Sequence, residues 1–180
     1  MIETYHFDDI RLLVTTINRL EGESRREAEC RVTDSLIRYA LGDSVTLIHL
    51  PSGAPCLEGS DMSISISHST HYAAIALSPT QQIGIDIEEQ RSQLRRVASR
   101  VLSEPELEAY STSDSLLLQA WTLKEALYKA ALTPGLDFRR DINLPLPPSS
   151  PTATVLNQPY RIIAILTTPN FTLSLVDSQD

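Results

Sequence analysis

The segment "IGIDIEEQ", residues 83–90, constrains the fold more than any other part of the sequence. Three isoleucines alternate there with a glycine and two acids: Ile83, Gly84, Ile85, Asp86, Ile87 and Glu88. Successive side chains of a β-strand point to opposite faces, so the isoleucines share one face while Asp86 and Glu88 share the other. On such a strand the two carboxylates lie about 7 Å apart. The segment therefore predicts a strand with one apolar face and one acidic face.

The composition is typical of a globular protein and disfavours one functional class. The 180 residues are 42% hydrophobic and 21% charged, which suits one soluble domain or two small halves sharing a core. Fifteen basic residues against 23 acidic ones leave a net charge of -8. This balance argues against a nucleic-acid-binding protein that relies on a broad positive surface.

The cysteines and the apolar runs argue against other classes. Cys30 and Cys56 are too few and too widely spaced for a zinc motif or a disulfide framework, and we interpret both as ordinary thiols. Charged residues such as Glu3 and Arg11 interrupt any signal-peptide pattern, and no apolar stretch approaches membrane-spanning length. We therefore expect no membrane partner and a cytoplasmic location.

Four segments are predicted to be helical. One runs from an N-cap at Ser24 to residue 41, and another covers residues 91–102, with arginines fanned across its polar face. Ser103 and Glu106 form a capping-box pattern that starts a third, short helix. The fourth and longest helix spans about residues 115–132.

Strand patterns occur before and after these last helices. Alternating or β-branched runs predict strands at residues 45–50, 62–67, 72–77 and 82–88, and a closing hairpin at residues 160–166 and 171–176. Short polar connections suggest that the strands between residues 62 and 88 form an antiparallel meander. Separate groups of strands and helices are typical of the α+β class.

The long helix carries three charged residues that need an explanation. Lys124 falls within the apolar arc, where its ammonium must reach solvent, pair with an acid or meet a ligand. Glu125 and Lys129 form an i, i+4 pair at the border of that arc. Taken alone, such a pair is usually a solvent-exposed ion pair without a functional role. Alternating acids on a strand likewise usually form a solvated face.

Together, three motifs resemble the signature of the 4′-phosphopantetheinyl transferases. They are the I-G-I-D-I-E strand, the later W-T-x-K-E-A-x-x-K helix at residues 121–129, and the preceding "SISHS" at residues 65–69. The resemblance is closest to the larger, pseudo-dimeric surfactin-type branch. It implies one domain over residues 1–180 with two similar α/β halves, roughly 1–80 and 81–180. Each half would pack a small, mainly antiparallel sheet with a long helix, and the protein would be a monomer.

The resemblance also implies an activity and a metal site. Members of this family use Mg²⁺ to transfer the 4′-phosphopantetheine arm of coenzyme A to a serine of an apo acyl or peptidyl carrier protein, releasing adenosine 3′,5′-bisphosphate. Asp86, Glu88 and Glu125 match the family's metal ligands, and carboxylate oxygens suit Mg²⁺. Glu125, directly or through a water, matches the general base, and Lys129 matches a catalytic cation at the diphosphate.

Five residues match family positions that contact coenzyme A: Arg26, Ser67, His68, Lys124 and Lys129. Alone, His68 is more simply explained as a structural histidine at a strand end, and Arg26 as part of a solvated helix face. The arginines of residues 91–100 are expected either to meet the acidic helix of a carrier protein or to form a plain exposed surface.

One departure and two rival functions remain open. The loop "SGAPCL" has Ala54 where family members often place a lysine at a coenzyme A phosphate. A non-catalytic homologue that binds carrier protein or coenzyme A is the main alternative. A hydrolase using Ser67, His68 and Asp86 is disfavoured, because adjacent residues on a strand point to opposite faces and no nucleophile-elbow pattern is present.

Overall fold

The computed structural model describes residues 1–79, 82–90 and 93–178 and has the α+β architecture expected from the sequence. The first part of the chain contains β1 (Ile2–Phe7), β2 (Ile10–Thr16), α1 (Arg25–Leu41), β3 (Thr46–His49), β4 (Pro55–Glu58), β5 (Ser63–His68) and β6 (Tyr72–Ser78). The second part contains β7 (Ile83–Glu88), α2 (Leu94–Val101), α3 (Glu104–Tyr110), α4 (Asp114–Ala131), β8 (Ile142–Asn143), β9 (Thr152–Val155), β10 (Gln158–Thr167) and β11 (Thr172–Ser178).

The strands form two main antiparallel sheets, each packed with one long helix. The first sheet has the order β1-β2-β6-β5, and the second has the order β7-β11-β10-β9-β8. Helix α1 packs on the first sheet and α4 on the second, while β3 and β4 form a separate hairpin. The predicted fold class is confirmed. The boundary predicted between the halves, at residues 80 and 81, lies outside the described residues.

A shared apolar core lies between the two sheets. It is formed by alternate side chains of both sheets, namely Ile10, Leu12, Val14, Ala74 and Ala76 from the first and Ile83, Ile85, Ile87, Leu173 and Leu175 from the second. Burying each of the valine, leucine and isoleucine side chains among them stabilises the fold by roughly 1.5–3 kcal/mol. The isoleucine face predicted for β7 is thus buried, and the strand's other face turns towards α4.

The predicted helix starts are confirmed by their caps. Ser24 and Glu27 form a reciprocal capping box at the start of α1, and the carboxylate of Glu106 accepts the backbone N–H of Ser103 (2.8 Å) at the start of α3. Arg91, which was predicted to begin the arginine-rich helix, lies outside the described residues, and α2 begins at Leu94. In the described part of the chain, no helix combines the length and apolarity needed to cross a membrane.

The predicted meander is wrong for its third strand. Strands β5 and β6 pair antiparallel, but β7 pairs with β11, where Asp86 lies opposite Ser174. The partner of β7 comes from the end of the chain, and short connections between successive strands do not reveal such a non-local partner. The hairpin of β1 and β2 was not predicted, although Ile10, Leu12 and Val14 alternate just after an acidic turn.

Candidate active site

Helix α4 rests directly on β7, and Gly84 makes this approach possible. A Cβ atom at Gly84 would overlap the carbonyl oxygen of Ala126 and lie 2.8 Å from the backbone nitrogen of Ala130. Any side chain at this position would therefore push the helix away from the strand. Because the two backbones touch, Glu125 and Lys129 of α4 lie beside Asp86 of β7.

Asp86 is buried with one carboxylate oxygen occupied and the other unpaired. Its Oδ1 atom accepts hydrogen bonds from Ser67 Oγ (2.8 Å) and Lys129 Nζ (2.9 Å). Its Oδ2 atom is buried and has no hydrogen-bond partner. An unsatisfied carboxylate oxygen in the interior is costly, so Oδ2 is a natural ligand for a cation.

Lys129 connects α4 to both sheets. Its ammonium donates to Ser67 Oγ (3.1 Å), to the carbonyl oxygen of Ile85 (2.9 Å) and to Asp86 Oδ1. The structure therefore brings together Ser67, Asp86 and Lys129, three of the residues predicted for the site.

Glu125 is half-buried beside Asp86, and its electrostatics favour a cation. Burial raises the pKa of Glu125, the negative charge of Asp86 raises it further, and Lys129 partly offsets both effects. A divalent cation between Asp86 and Glu125 would relieve this repulsion. Mg²⁺ is commonly held in proteins by one or two carboxylates together with substrate phosphates and water.

The three predicted metal ligands do not form a closed cluster. Across residues 1–79, 82–90 and 93–178, no group of three His, Cys, Asp or Glu side chains is close enough together to hold a metal ion. Glu88 lies at the end of β7, opposite Thr172 of β11. The carboxylates that lie beside each other at this contact are those of Asp86 and Glu125.

A large cleft opens beside these residues. It has a volume of about 1170 Å³ and lies between α1, the β3–β4 hairpin, β5 and the C-terminal end of α4. Arg26, His68 and Lys129, all predicted to contact coenzyme A, line it, as does Ala54. Ligand pockets are typically about 300–1,000 Å³, so the cleft has room for a large cofactor-like molecule.

His68 joins β5 to α1 at the wall of the cleft. Its Nε2 atom lies 2.7 Å from Thr33 Oγ1, a contact that the sequence did not indicate. Burial lowers the pKa of His68, the charge of Glu29 opposes that shift, and Lys129 adds to it. The imidazole is therefore neutral near pH 7.

The placement of Lys124 corrects the prediction that this residue contacts a phosphate of coenzyme A. Its side chain is only 1% exposed, and its ammonium pairs with Glu106 Oε2 at 2.9 Å. It also donates to the carbonyl oxygens of Phe138 and Ile142. Burial lowers the pKa of Lys124, and Glu106 opposes that shift. All three donors are used inside the protein, so the alternative that the lysine pairs with an acid is the correct one.

Glu106 has a role that sequence analysis identified only in part. Besides pairing with Lys124, its carboxylate accepts the backbone N–H groups of Ser103 (2.8 Å) and Leu144 (2.7 Å). The capping-box motif indicated the first of these contacts. The other two depend on how α3 and α4 pack against the segment that follows α4.

The geometry does not support the hydrolase alternative. Ser67 donates its proton to Asp86, whereas the ring of His68 contacts Thr33. A Ser–His pair needs the imidazole within hydrogen-bonding distance of the serine hydroxyl, and here that hydroxyl bonds to Asp86 and Lys129 instead.

Comparison with known proteins adds one finding. A family model described as the 4′-phosphopantetheinyl transferase superfamily matches residues 82–172, which include β7, α2, α3 and α4. A search of curated proteins found no match. The matched region contains Asp86, Glu125 and Lys129, whereas Ser67 and His68 precede it.

Proposed function

The chain belongs to the 4′-phosphopantetheinyl transferase superfamily, and on this basis we propose that it transfers 4′-phosphopantetheine from coenzyme A to a serine of an apo acyl or peptidyl carrier protein. One observation supports this activity more than any other. The contact between Gly84 and α4 places Glu125 and Lys129 beside Asp86, next to a cleft large enough for coenzyme A. The surfactin-type branch remains part of the proposal.

In the proposed reaction, the carrier serine oxygen attacks the phosphorus atom that bears the pantetheine arm. A P–O bond forms, the phosphoanhydride bond breaks, and adenosine 3′,5′-bisphosphate leaves with the electron pair of that bond. The serine proton moves to a base, for which we propose Glu125. Glu125 lies beside Asp86 and is the residue that the family resemblance matches to the general base, acting directly or through a water.

We assign Lys129 to the charge that develops on the diphosphate. Its side chain lines the cleft and is 30% exposed while its ammonium binds Asp86, so we place its positive charge beside a phosphate bound in the cleft. A fixed cation near the leaving group stabilises the transition state more than the ground state. Arg26 and His68 line the same cleft and are proposed to contact other phosphates of coenzyme A.

We propose that Mg²⁺ is held by Asp86 and Glu125, with Glu88 as the third ligand expected from the family resemblance. The buried, unpaired Oδ2 atom of Asp86 and the raised pKa of Glu125 support this assignment. Bound Mg²⁺ would withdraw charge from the diphosphate during transfer.

The carrier protein is proposed to dock near α2. Arg95, Arg96 and Arg100 are exposed on this helix, and Arg95 already pairs with Asp114 at 2.6 Å. A local positive surface would attract an acidic carrier helix despite the net charge of -8. A monomer and a cytoplasmic location remain predictions.

Mass spectrometry of intact carriers tests the activity. The protein is incubated with coenzyme A, Mg²⁺ and a panel of apo carrier proteins, with and without EDTA. We expect a phosphopantetheine mass gain that EDTA prevents, and its loss in Asp86→Ala and Glu125→Ala. Glu89→Gln is the control, because Glu89 is a nearby acid that pairs with His71 instead.

Two outcomes would contradict the proposal. Coenzyme A binding in calorimetry without a mass gain on any carrier would favour the non-catalytic homologue. Wild-type rates in a folded Asp86→Ala or Glu125→Ala variant would refute the site assignment. Circular dichroism of each variant shows whether it is folded.

A further inference from the structure

Strands β5 and β7 belong to different sheets, yet serine side chains connect them. The backbone N–H of Ile85 donates to Ser65 Oγ (3.0 Å), and that of Ile87 donates to Ser67 Oγ (3.2 Å). The backbone of β7 is thus held to the first sheet by hydroxyl groups rather than by a backbone ladder. Both serines are buried, so these bonds are shielded from water.

Only Ser67 extends this connection to the candidate active site. Its hydroxyl accepts from Ile87 N and from Lys129 Nζ (3.1 Å), and it donates to Asp86 Oδ1 (2.8 Å). A hydroxyl group has one proton and two acceptor lone pairs. All of them are used within the protein.

These bonds determine which oxygen of Asp86 is available. Ser67 and Lys129 both bind Oδ1, which leaves the buried Oδ2 atom as the open ligand. If Asp86 lost its bond to Ser67, its carboxylate could rotate and exchange the two oxygens. Residues that orient a metal ligand in this way usually contribute strongly to metal affinity.

We propose that Ser67 is a positioning residue that orients Asp86 for a divalent cation. This inference rests on the proposed function, because it assumes that Asp86 binds the cation. Since Ser67 lies on β5 and Asp86 on β7, the orientation of the metal ligand depends on how the two sheets pack together. The metal site is thus shared between the sheets, although both carboxylates of the proposed pair come from the second part of the chain.

The test compares Ser65 and Ser67, each of which accepts a hydrogen bond from a backbone N–H group of β7. Ser67→Ala removes the bonds to Ile87 N, Asp86 and Lys129, whereas Ser65→Ala removes only the equivalent bond to Ile85 N. Mn²⁺ binding to the purified protein, without coenzyme A or carrier, is measured by electron paramagnetic resonance as a probe for an oxygen-ligand site. Thermal unfolding of both variants measures how much stability is lost with the hydrogen bond between β5 and β7.

We expect Ser67→Ala to weaken Mn²⁺ binding by about 10–100-fold, and Ser65→Ala to leave it close to wild type. Ser67→Thr retains the hydroxyl group and should restore most of the affinity.

Each contrary result overturns the inference. Equal losses of Mn²⁺ affinity in both alanine variants would mean that the affinity depends on the hydrogen bonds between β5 and β7 and not on the bond from Ser67 to Asp86. Absent Mn²⁺ binding in the wild type would remove the basis for the inference.

Failure of the proposed function looks different from failure of this inference. If no carrier gains mass but Mn²⁺ binding depends on Ser67, the function fails and the inference stands. If EDTA-sensitive transfer occurs and Ser67→Ala binds Mn²⁺ like wild type, the function stands and the inference fails.

Discussion

Gly84 on β7 and Ala126 on α4 are in direct backbone contact, with no room for a side chain between them. This contact determines how far Glu125 and Lys129 lie from Asp86. It also explains the glycine among the isoleucines, because a Cβ atom at this position would collide with rigid helix backbone instead of a movable side chain.

We therefore expect Gly84→Ala to destabilise the protein and to separate the two halves of the active site. Overpacking a tight core usually lowers the free energy of unfolding by about 1–3 kcal/mol. Because the added Cβ atom would clash with backbone, we expect a loss near the upper end of that range. Urea denaturation measures the loss, and the carrier assay should show reduced transfer even where the variant is folded. Gly135→Ala is the control, since its added Cβ meets no atom within 4 Å and only its positive φ of 79° is strained. A Gly84→Ala variant as stable and active as wild type would contradict the role assigned to this contact.

Removing one partner of the buried pair Lys124 and Glu106 should destabilise the fold strongly. Glu106→Ala leaves a buried ammonium without its carboxylate, which typically costs about 3–5 kcal/mol. Lys124→Met should cost less, because Glu106 keeps the N–H groups of Ser103 and Leu144. Chemical denaturation of both single variants and the double variant measures the coupling between the two residues.

The same lysine variant tests the corrected role of Lys124. Because its ammonium is enclosed by Glu106 and two carbonyl oxygens, Lys124→Met should bind coenzyme A about as tightly as wild type in calorimetry. A tenfold loss of affinity, equal to about 1.4 kcal/mol, would restore Lys124 to the coenzyme site.

His68 should make the stability depend on pH below neutrality. Burial lowers its pKa beneath the ordinary value of 6.5, and nearby Arg25 and Lys129 act in the same direction while Glu29 opposes them. The unfolded chain then binds the proton more readily, so the contribution of His68 is complete above pH 6.5 and is lost as the pH falls through the folded-state pKa. The stability difference between wild type and His68→Gln should therefore shrink from about pH 7.5 to about pH 5.5. An NMR titration that places the His68 pKa above the ordinary value would contradict this.

A lysine at position 54 should strengthen coenzyme A binding. Ala54 lines the cleft at the position where the family resemblance places a phosphate-binding lysine. A hydrogen bond to a charged group is worth roughly 1.5–3 kcal/mol, so Ala54→Lys should lower the dissociation constant by about tenfold or more. Ala54→Met is the uncharged control of similar length. Calorimetry at low and high salt should show that the gain weakens with ionic strength, and equal gains from both variants would exclude a charge effect.

The features that sequence alone could predict depend on neighbouring residues. The alternation around Asp86 predicted a strand with a buried isoleucine face, and the caps at Ser24 and Ser103 marked the starts of two helices. These signals are local because the geometry of a strand or a helix turn places residues two to four apart next to each other. The family resemblance of the two motifs also implied that Asp86 and Lys129 belong to one site, and the structure places Lys129 Nζ 2.9 Å from Asp86 Oδ1.

Contacts between distant segments depend on how the chain packs in three dimensions. The pairing of β7 with β11, the partner of Lys124 and the bond from Ser67 to Asp86 join residues that are 18 or more positions apart in the chain. Periodicity carries no information about such partners, because a buried lysine or serine is satisfied equally well by any acceptor that packing brings to it. The order of the residues specifies where the charges lie along the chain and which face of each helix or strand is apolar. Only the packing of the two sheets and α4 decided that Ser67 and Lys129 hold Asp86 while Lys124 binds Glu106 in the core.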